Sequence, residues 1–150
     1  MSEGRGQGTG AGSLKRDGGE RISSFRDLRV YQAALELQQA VFEVTKAFPR
    51  EEIYSLTDQL RRASRSVGAN IAEAWQKRRY PAHFVSKLSD ADGEQAETQH
   101  WITTAFACNY ISESTRNNLM EMCLGIGRML GTMIAAPEKF CPKANHRDSP

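Results

Sequence analysis

Glu97 and His100 form an ExxH pattern, the residue pair in this sequence with the sharpest chemical implication. Di-iron helical bundles use two such patterns together with a glutamate from each of two further helices. The chain has no second ExxH, because His83 lies at a predicted helix start and His146 in the C-terminal tail. Helical stepping from the apolar residues of the same segment turns His100 largely outward. The pattern therefore predicts a solvated helix face, with no metal and no other cofactor, and a metal-binding bundle enzyme remains a remote alternative.

Other catalytic signals are also missing from the sequence. The histidines do not combine with an acid and a nucleophile into a recognisable set, and there is no glycine-rich phosphate loop. Gly127 and Gly131 form a GxxxG pattern, which in a non-membrane helix indicates close packing at most. We expect a protein that is not an enzyme.

A second chemically suggestive group is a set of basic residues in one predicted helix, within residues 54 to 79. The formal net charge is only +2, so affinity for nucleic acid would have to come from the placement of charges. Contacts of such side chains with phosphates would weaken as salt rises. The candidate phosphate-binding residues are Arg61, Arg62, Arg65, Lys77, Arg78 and Arg79. In the alternative interpretation, ion pairs leave an ordinary mixed surface, and the neutralising carboxylates are Asp58, Glu73, Glu94 and Glu97.

Polar residues border the apolar stripe of the same helix. Stepping by about 100° per residue places Asn70 at the edge of the stripe, and leaving such a group buried and unpaired costs about 1–3 kcal/mol. Possible partners are Arg61 or Arg62 of a neighbouring copy, side chains of the same face, or the N-terminus of helix one. The stripe consists of Leu56, Leu60, Ala63, Val67, Ile71 and Ala74, and Arg61, Arg65, Gly68, Ala72, Gln76 and Arg79 fall roughly opposite it. The residues predicted to fix helix register or a subunit interface are Gln59, Ser66, Asn70, Glu73, Glu94 and Glu97.

Helical periodicity extends over most of the chain and predicts four helices. Ser24 can cap helix one, with Asp27 in its first turn, and Pro49 follows its end. Helix two begins between residues 51 and 56. The inward stripe of helix one is predicted to contain Leu28, Tyr31, Leu35, Val41, Phe42 and Thr45.

The second half of the chain continues this pattern. Pro81 suits the first turn of helix three, which ends between residues 109 and 111, and Ser112 or Ser114 can cap helix four, which ends before Pro137. The inward line of helix three is Phe84, Leu88, Ala91, Gln95, Thr98, Ile102 and Ala105, widened by Trp101 and Cys108. The apolar face of helix four is Leu119, Met122, Ile126, Met129, Leu130 and Met133. No segment supports strands, so the prediction is an all-α, up-and-down four-helix bundle.

The predicted bundle occupies residues 24–136, between a disordered N-terminal tail at 1–23 and a loose C-terminal tail at 137–150. The first twenty residues are rich in glycine and polar side chains, and ordering them would recover little free energy. Cys108, Cys123 and Cys141 lack zinc-site spacing and are expected to be reduced and mostly buried. No signal peptide or membrane-spanning run is evident. We expect a cytoplasmic protein with no membrane partner.

Three segments resemble a known family of small bacterial four-helix-bundle proteins, some of which are encoded in intervening sequences of large-subunit rRNA genes. The segments are FRDLRVYQAA, the FP of Phe48 and Pro49 followed by YSLTDQLRRASRSVGANIAEA, and DGEQAETQHWI around Glu94 and Glu97. The resemblance spans about residues 25 to 134. Ala74 stands where the family usually has glycine, and this departure should tighten helix two locally.

The resemblance implies a homopentamer, and the accessory variability proteins of diversity-generating retroelements look like relatives of the same fold. In that branch a basic surface is proposed to bind RNA or DNA, and a reverse transcriptase is the implied protein partner. Self-association also agrees with apolar or small residues predicted on the surface, namely Trp75, Trp101 and the strip of Gly68 and Ala72. The sequence leaves two functions open: a nucleic-acid-binding adaptor, or a pure protein-protein scaffold.

Overall fold

The computed structural model describes residues 14–15 and 21–143 of the 150-residue chain. Its four helices are α1 (Arg29–Thr45), α2 (Asp58–Gln76), α3 (Pro81–Ala107) and α4 (Glu113–Ala135). Successive helices pack against each other, and α1 also packs against α4. This leaves α2 diagonally across the bundle from α4. The predicted all-α, up-and-down four-helix bundle is confirmed.

The core follows the predicted stripes closely in α2 and α3. All seven residues of the α3 line and all six of the α2 stripe are buried. Helix α4 contributes four of its six predicted residues fully to the core, while Met122 and Met129 are half-buried, and it adds Cys123. Pro81 occupies the first turn of α3, and the Ser112 hydroxyl accepts a hydrogen bond from the Thr115 amide at 3.1 Å. Local periodicity was therefore sufficient to predict most of the residues that these helices bury.

Helix α1 differs from its prediction in register and in its start. Ser24 does form a capping box with Asp27, but it caps a 3₁₀ turn (Phe25–Asp27), and Leu28 is extended before α1 begins. Leu35, predicted inward, is 42% exposed. The buried α1 residues are Val30, Ala34, Leu37, Val41 and Thr45. The apolar residues of α1 fit two overlapping stripes, and packing against α2 and α4 selects the one through Ala34 and Leu37.

Two residues predicted on the outer side of α2 are buried within the single chain. A Cβ at Gly68 would lie 3.5 Å from the Tyr31 ring and 3.8 Å from Ala34 Cβ, so the absent side chain lets α1 approach α2 closely. Trp75 is also buried. The prediction that Trp75 and Gly68 provide surface for self-association is therefore wrong, because both are buried within the single chain.

The two connections at one end of the bundle are joined by a hydrogen bond. The chain enters α2 through a 3₁₀ turn (Arg50–Glu52) and a π-helical turn (Ile53–Thr57). The Tyr110 hydroxyl, which follows α3, donates to Glu52 Oε2 at 2.7 Å. This bond lowers the pKa of Glu52, and together with burial it raises the pKa of Tyr110 to about 12. The α1–α2 and α3–α4 connections thus lie together, opposite the α2–α3 connection.

The packed region extends beyond the predicted bounds of residues 24 and 136. Strands β1 (Leu14–Lys15) and β2 (Arg21–Ile22) form an antiparallel pair that periodicity did not predict, and Ile22 is buried in the core. After α4, Phe140 stacks against Phe84 at 6.1 Å between ring centroids, and Cys141 is buried. Residues 137–141 are therefore packed, where a loose tail was predicted. The remainder of the predicted tails, residues 1–13, 16–20 and 144–150, lies outside the described residues.

Two further predictions concern cysteines and membranes. Cys123 and Cys141 are buried as expected, but Cys108 is exposed and does not widen the core line of α3. Among the described helices, none has the length and apolar character needed to cross a bilayer.

Candidate nucleic-acid interface

The basic residues of α2 form two clusters, although the sequence suggested a common line through Arg61, Arg65 and Arg79. Arg61, Arg62 and Arg65 lie in the first half of α2. Lys77 and the two arginines after it follow the last α2 residue, Gln76. Arg61 and Lys77 are about 24 Å apart along the axis, at about 1.5 Å per residue. Because the chain leaves the helix after Gln76, helical stepping no longer describes where Arg78 and Arg79 point.

The first cluster is arranged around one aromatic ring of α1, which the sequence analysis assigned only to the core. The Arg61 and Arg65 guanidinium carbons lie 4.8 and 5.7 Å from the Phe42 ring centroid, and Lys46 Nζ lies 4.9 Å from it. We call Phe42, Lys46, Arg61 and Arg65 the Phe42 cluster. Cation–π contacts of this kind contribute about 0.5–1 kcal/mol each at exposed sites. They hold three positive charges together on the α1–α2 surface.

The members of this surface differ in how much of their charge is free for a ligand. Arg61 is half-buried, and its Nε donates to the Thr45 hydroxyl at 2.8 Å. Arg62 and Arg65 are exposed. Lys46 pairs with Glu43 at 3.3 Å, but both side chains are exposed, so this pair contributes little. Arg62 and Arg65 are therefore the best placed to contact phosphates, and Arg61 also supports the α1–α2 packing.

Arg78 of the second cluster has a largely structural setting. Its guanidinium carbon lies 3.8 Å from the Trp75 ring centroid, and its Nη1 donates to the Trp75 carbonyl at 2.8 Å. Burial lowers the pKa of Arg78, and nearby Cys141 opposes this shift. Lys77 and Arg79, in contrast, are exposed. Arg78 is therefore half-buried and held by contacts within the fold, as Arg61 is.

Three of the four carboxylates proposed as neutralising partners have other neighbours, and the fourth, Asp58, is half-buried. Glu73 pairs with Lys87 of α3 at 2.8 Å, which lowers the pKa of Glu73, and Lys77 contributes more weakly from a longer distance. Glu97 accepts a hydrogen bond from Trp101 Nε1 at 3.1 Å. Burial raises the pKa of Glu94, with further contributions from the neighbouring carboxylates. In residues 21–143 no ion pair neutralises the following cations: Arg61, Arg62, Arg65, Lys77 and Arg78.

Asn70 and Glu73 lie where α2 meets α3, and they share a partner that the sequence analysis missed. Asn70 Nδ2 donates to the Ser66 carbonyl at 2.9 Å, and Lys87 Nζ donates to Asn70 Oδ1 at 3.5 Å. Lys87 also pairs with Glu73 and, at 3.6 Å, with Asp90. These polar side chains are thus satisfied within one chain, without Arg61 or Arg62 of a neighbouring copy. Ser66 takes part through its backbone, and Gln59 is half-buried.

The ExxH pair lies on an exposed part of α3. Glu97 is held by Trp101, and the His100 ring packs edge-on against the Trp101 indole at 4.7 Å. Over the part of the chain that the structure describes, no three His, Cys, Asp or Glu side chains are grouped closely enough to hold a metal ion.

Periodicity placed Thr45 in the inward stripe of α1 but did not indicate its hydrogen bond with Arg61. Lys46 and the pairing of Tyr80 with His83 in the α2–α3 turn were not predicted. Phe42 and Lys46 are four residues apart, which places them on the same side of a helix. This spacing is a signal that could have identified half of the Phe42 cluster. The approach of Phe42 to Arg61 and Arg65 is a tertiary contact between α1 and α2, which spacing along one helix does not indicate.

Comparison with known proteins identifies a family and several solved structures with a similar fold. A family model described as "23S rRNA-intervening sequence protein" matches residues 26–132. A crystal structure of a protein of unknown function from the S23 ribosomal protein family of Bacteroides thetaiotaomicron VPI-5482 is similar, with a TM-score of 0.65 and 26% sequence identity. The match covers 71% of this chain and 95% of that one. No curated protein matches the chain.

Proposed function

The chain belongs to the 23S rRNA-intervening sequence protein family, and we propose that it is a non-enzymatic, oligomeric bundle that binds nucleic acid through the basic residues of α2. The observation that carries this proposal is the set of cations without carboxylate partners in the described residues, of which Arg62, Arg65 and Lys77 are also exposed. The family description refers to an intervening sequence of 23S rRNA, so RNA is the first nucleic acid to test.

The binding mode follows from the kind of side chain present. Arginine and lysine contact phosphate oxygens, release counterions and position a complex without reading base sequence. The Phe42 cluster gathers three cations around one ring, and Arg62 adds a fourth on the same helix. An oligomer would repeat this surface and raise avidity without any new residue type. We therefore expect sequence-independent, salt-dependent binding.

Replacing Arg62 and Arg65 together by glutamine is expected to flatten the salt dependence of RNA binding. If both arginines contact phosphates, the slope of log K against log salt should fall by about 1.4–1.8 per engaged subunit. Arg61 is left intact because its guanidinium holds Thr45. Arginine and glutamine have similar helix propensities, so the fold should persist. The measurement is fluorescence anisotropy with labelled single-stranded and duplex RNA between about 50 and 200 mM salt.

The control replaces Arg116 and Arg128 by glutamine. Both lie on α4, diagonally across the bundle from α2, so the control removes the same charge from another surface. Arg128 is exposed, as Arg62 and Arg65 are. Arg116 is half-buried, and its guanidinium carbon lies 4.2 Å from the Phe106 ring centroid, so thermal melts must show that this variant is folded. Its salt slope should equal that of the wild type. Equal flattening in both double variants would mean that net charge alone drives binding. Absence of salt-dependent binding by the wild-type protein at about 50 mM salt would refute the proposal.

A protein-protein scaffold is the second candidate, and exposed leucines favour it. Leu35 on α1 is 42% exposed and Leu124 on α4 is 50% exposed, and these two helices pack against each other. The family resemblance implies a homopentamer, and as a scaffold this assembly would bind protein partners without binding nucleic acid.

A reverse transcriptase encoded beside the gene would instead favour the nucleic-acid-binding adaptor and its role in a retroelement.

Light scattering during size-exclusion chromatography is expected to report an assembly of about five chains, the homopentamer that the family resemblance implies. If the exposed leucines lie in the interface, replacing Leu35 and Leu124 by aspartate should release monomers while helical circular dichroism is retained. Leu35→Asp and Leu124→Asp each serve as the single-site comparison. A wild-type monomer at micromolar concentration would remove the pentamer, and a double variant that still assembles would exclude the leucines as its interface.

A further inference from the structure

Tyr80 is an exposed aromatic residue on a firmly held backbone. Its side chain is 51% exposed in the turn between α2 and α3. The Tyr80 amide donates to the Lys77 carbonyl at 3.0 Å, and the Tyr80 carbonyl accepts from the His83 and Phe84 amides at 2.9 and 3.0 Å. Pro81 follows directly and fixes the entry into α3. The ring is therefore presented to solvent from a backbone that needs little further ordering.

The surroundings of Tyr80 are basic. The Arg79 guanidinium carbon lies 5.8 Å from the Tyr80 ring centroid, and the His83 ring lies 5.5 Å away. Lys77 is exposed in the same turn.

No aspartate or glutamate occurs in the sequence between Glu73 and Asp90, and Glu73 itself pairs with Lys87. Glu138 comes from the segment packed on Phe84, and its charge acts on Cys141, which also lies near Arg78. The exposed Lys77, whose carbonyl accepts the Tyr80 amide hydrogen bond, would attract a negatively charged ligand to this turn.

Exposure alone does not distinguish Tyr80, because Tyr54 at the other end of the bundle is 79% exposed. Tyr54, however, follows Glu51 and Glu52, with Arg50 as the one cation of that turn. The two tyrosines thus differ in charge environment more than in access. A base joined to phosphates would approach Tyr80 favourably and Tyr54 unfavourably.

We propose that Tyr80 is a stacking platform for an unpaired base of a single-stranded nucleic acid, with Lys77 contacting a flanking phosphate. This inference rests on the proposed function and adds a preference for single strands. In a duplex, neighbouring bases cover the faces of each base, whereas an unpaired base can stack on an aromatic side chain whatever its identity. The Phe42 cluster supplies phosphate contacts to either form, and Tyr80 adds a contact that only a single strand can make.

The test compares Tyr80→Ala, Tyr80→Phe and Tyr54→Ala in the full chain. The probes are labelled oligouridine, oligothymidine and a duplex RNA, measured by anisotropy at one fixed salt concentration. Tyr80→Ala should weaken single-strand binding about 10- to 100-fold, as expected for one lost stacking contact, and leave duplex binding nearly unchanged. Tyr80→Phe should retain the affinity because it keeps the ring, and Tyr54→Ala should match the wild type. Thermal melts confirm that each variant is folded.

The outcomes separate this inference from the proposed function. Salt-dependent wild-type binding that Tyr80→Ala leaves unchanged would overturn the stacking site and leave the basic surface intact. Equal weakening on single strands and duplex would also overturn it, because phosphate contacts would then account for the loss. A loss limited to oligouridine or to oligothymidine supports the site and shows that it distinguishes these two strands by the 2′-hydroxyl or by the C5 methyl group. Absence of any wild-type binding would overturn both proposals.

Discussion

Replacing Phe84 by alanine is expected to lower the free energy of unfolding by about 3–5 kcal/mol, the usual cost of removing a large aromatic side chain from a packed core. Phe84 is fully buried in the first turns of α3. Its ring stacks on Phe140, which holds the segment after α4 against the bundle. The substitution therefore removes core packing and one attachment of residues 137–141. Urea denaturation followed by circular dichroism measures the change.

Tyr54→Ala is the control for this measurement, because the Tyr54 side chain is 79% exposed and its removal should cost well under about 1 kcal/mol. Protein concentration must be the same for all variants, since assembly stabilises the folded chain by mass action. A loss for Phe84→Ala no larger than that of the control would contradict the position of Phe84 in the core. The smaller change Phe84→Leu should give an intermediate loss because most of the volume is kept.

Replacing Trp75 by alanine is expected to have a similar effect, about 3–5 kcal/mol of unfolding free energy. Trp75 is buried, and its ring and carbonyl hold the Arg78 side chain. The substitution removes core volume and releases a guanidinium that burial now partly desolvates. Chemical denaturation gives the stability, and size-exclusion chromatography on the same samples gives the assembly state.

Trp101→Ala is the matched comparison, because Trp101 is half-buried and its indole reaches Glu97 on the same helix. It should cost clearly less than Trp75→Ala. The two measurements together distinguish core from interface. If Trp75→Ala changed the number of chains in the assembly and left the stability of the folded unit unaltered, Trp75 would belong to a contact between copies.

The basic residues of the surface differ in whether their substitution would also disturb packing. Arg61 and Arg78 each combine a charge with a packing contact, to Thr45 and Trp75 respectively. Loss of binding in their variants would mix electrostatics with altered packing, as expected for long cationic side chains that cover apolar surface. Arg62 and Arg65 separate the two effects better because both are exposed. They are therefore the residues on which the nucleic-acid proposal is tested.

Local sequence patterns were enough to predict the helices and much of the core. In α3, a residue every three or four positions from Phe84 to Ala105 is buried, and a single stripe leaves no other face to bury. Pro81 and Ser112 mark helix starts through their own backbone and side-chain chemistry. In α1 the same method failed at Leu35, because apolar residues on two overlapping stripes leave the choice to the packing partners.

The sequence by itself determined the four-helix bundle and the presence of a basic helix, because periodicity and charge are properties of neighbouring residues along the chain. Only the tertiary structure decided which of those charges remain accessible. It brings Phe42 of α1 close to Arg61 and Arg65 of α2. It also pairs Lys87 of α3 with Glu73 of α2, and neither contact follows from the spacing of residues within one helix. It also covers Gly68 and Trp75 with other parts of the chain and turns Arg78 onto an indole. The physical reason is that contacts between helices depend on how their faces pack in three dimensions, which spacing along one helix does not specify.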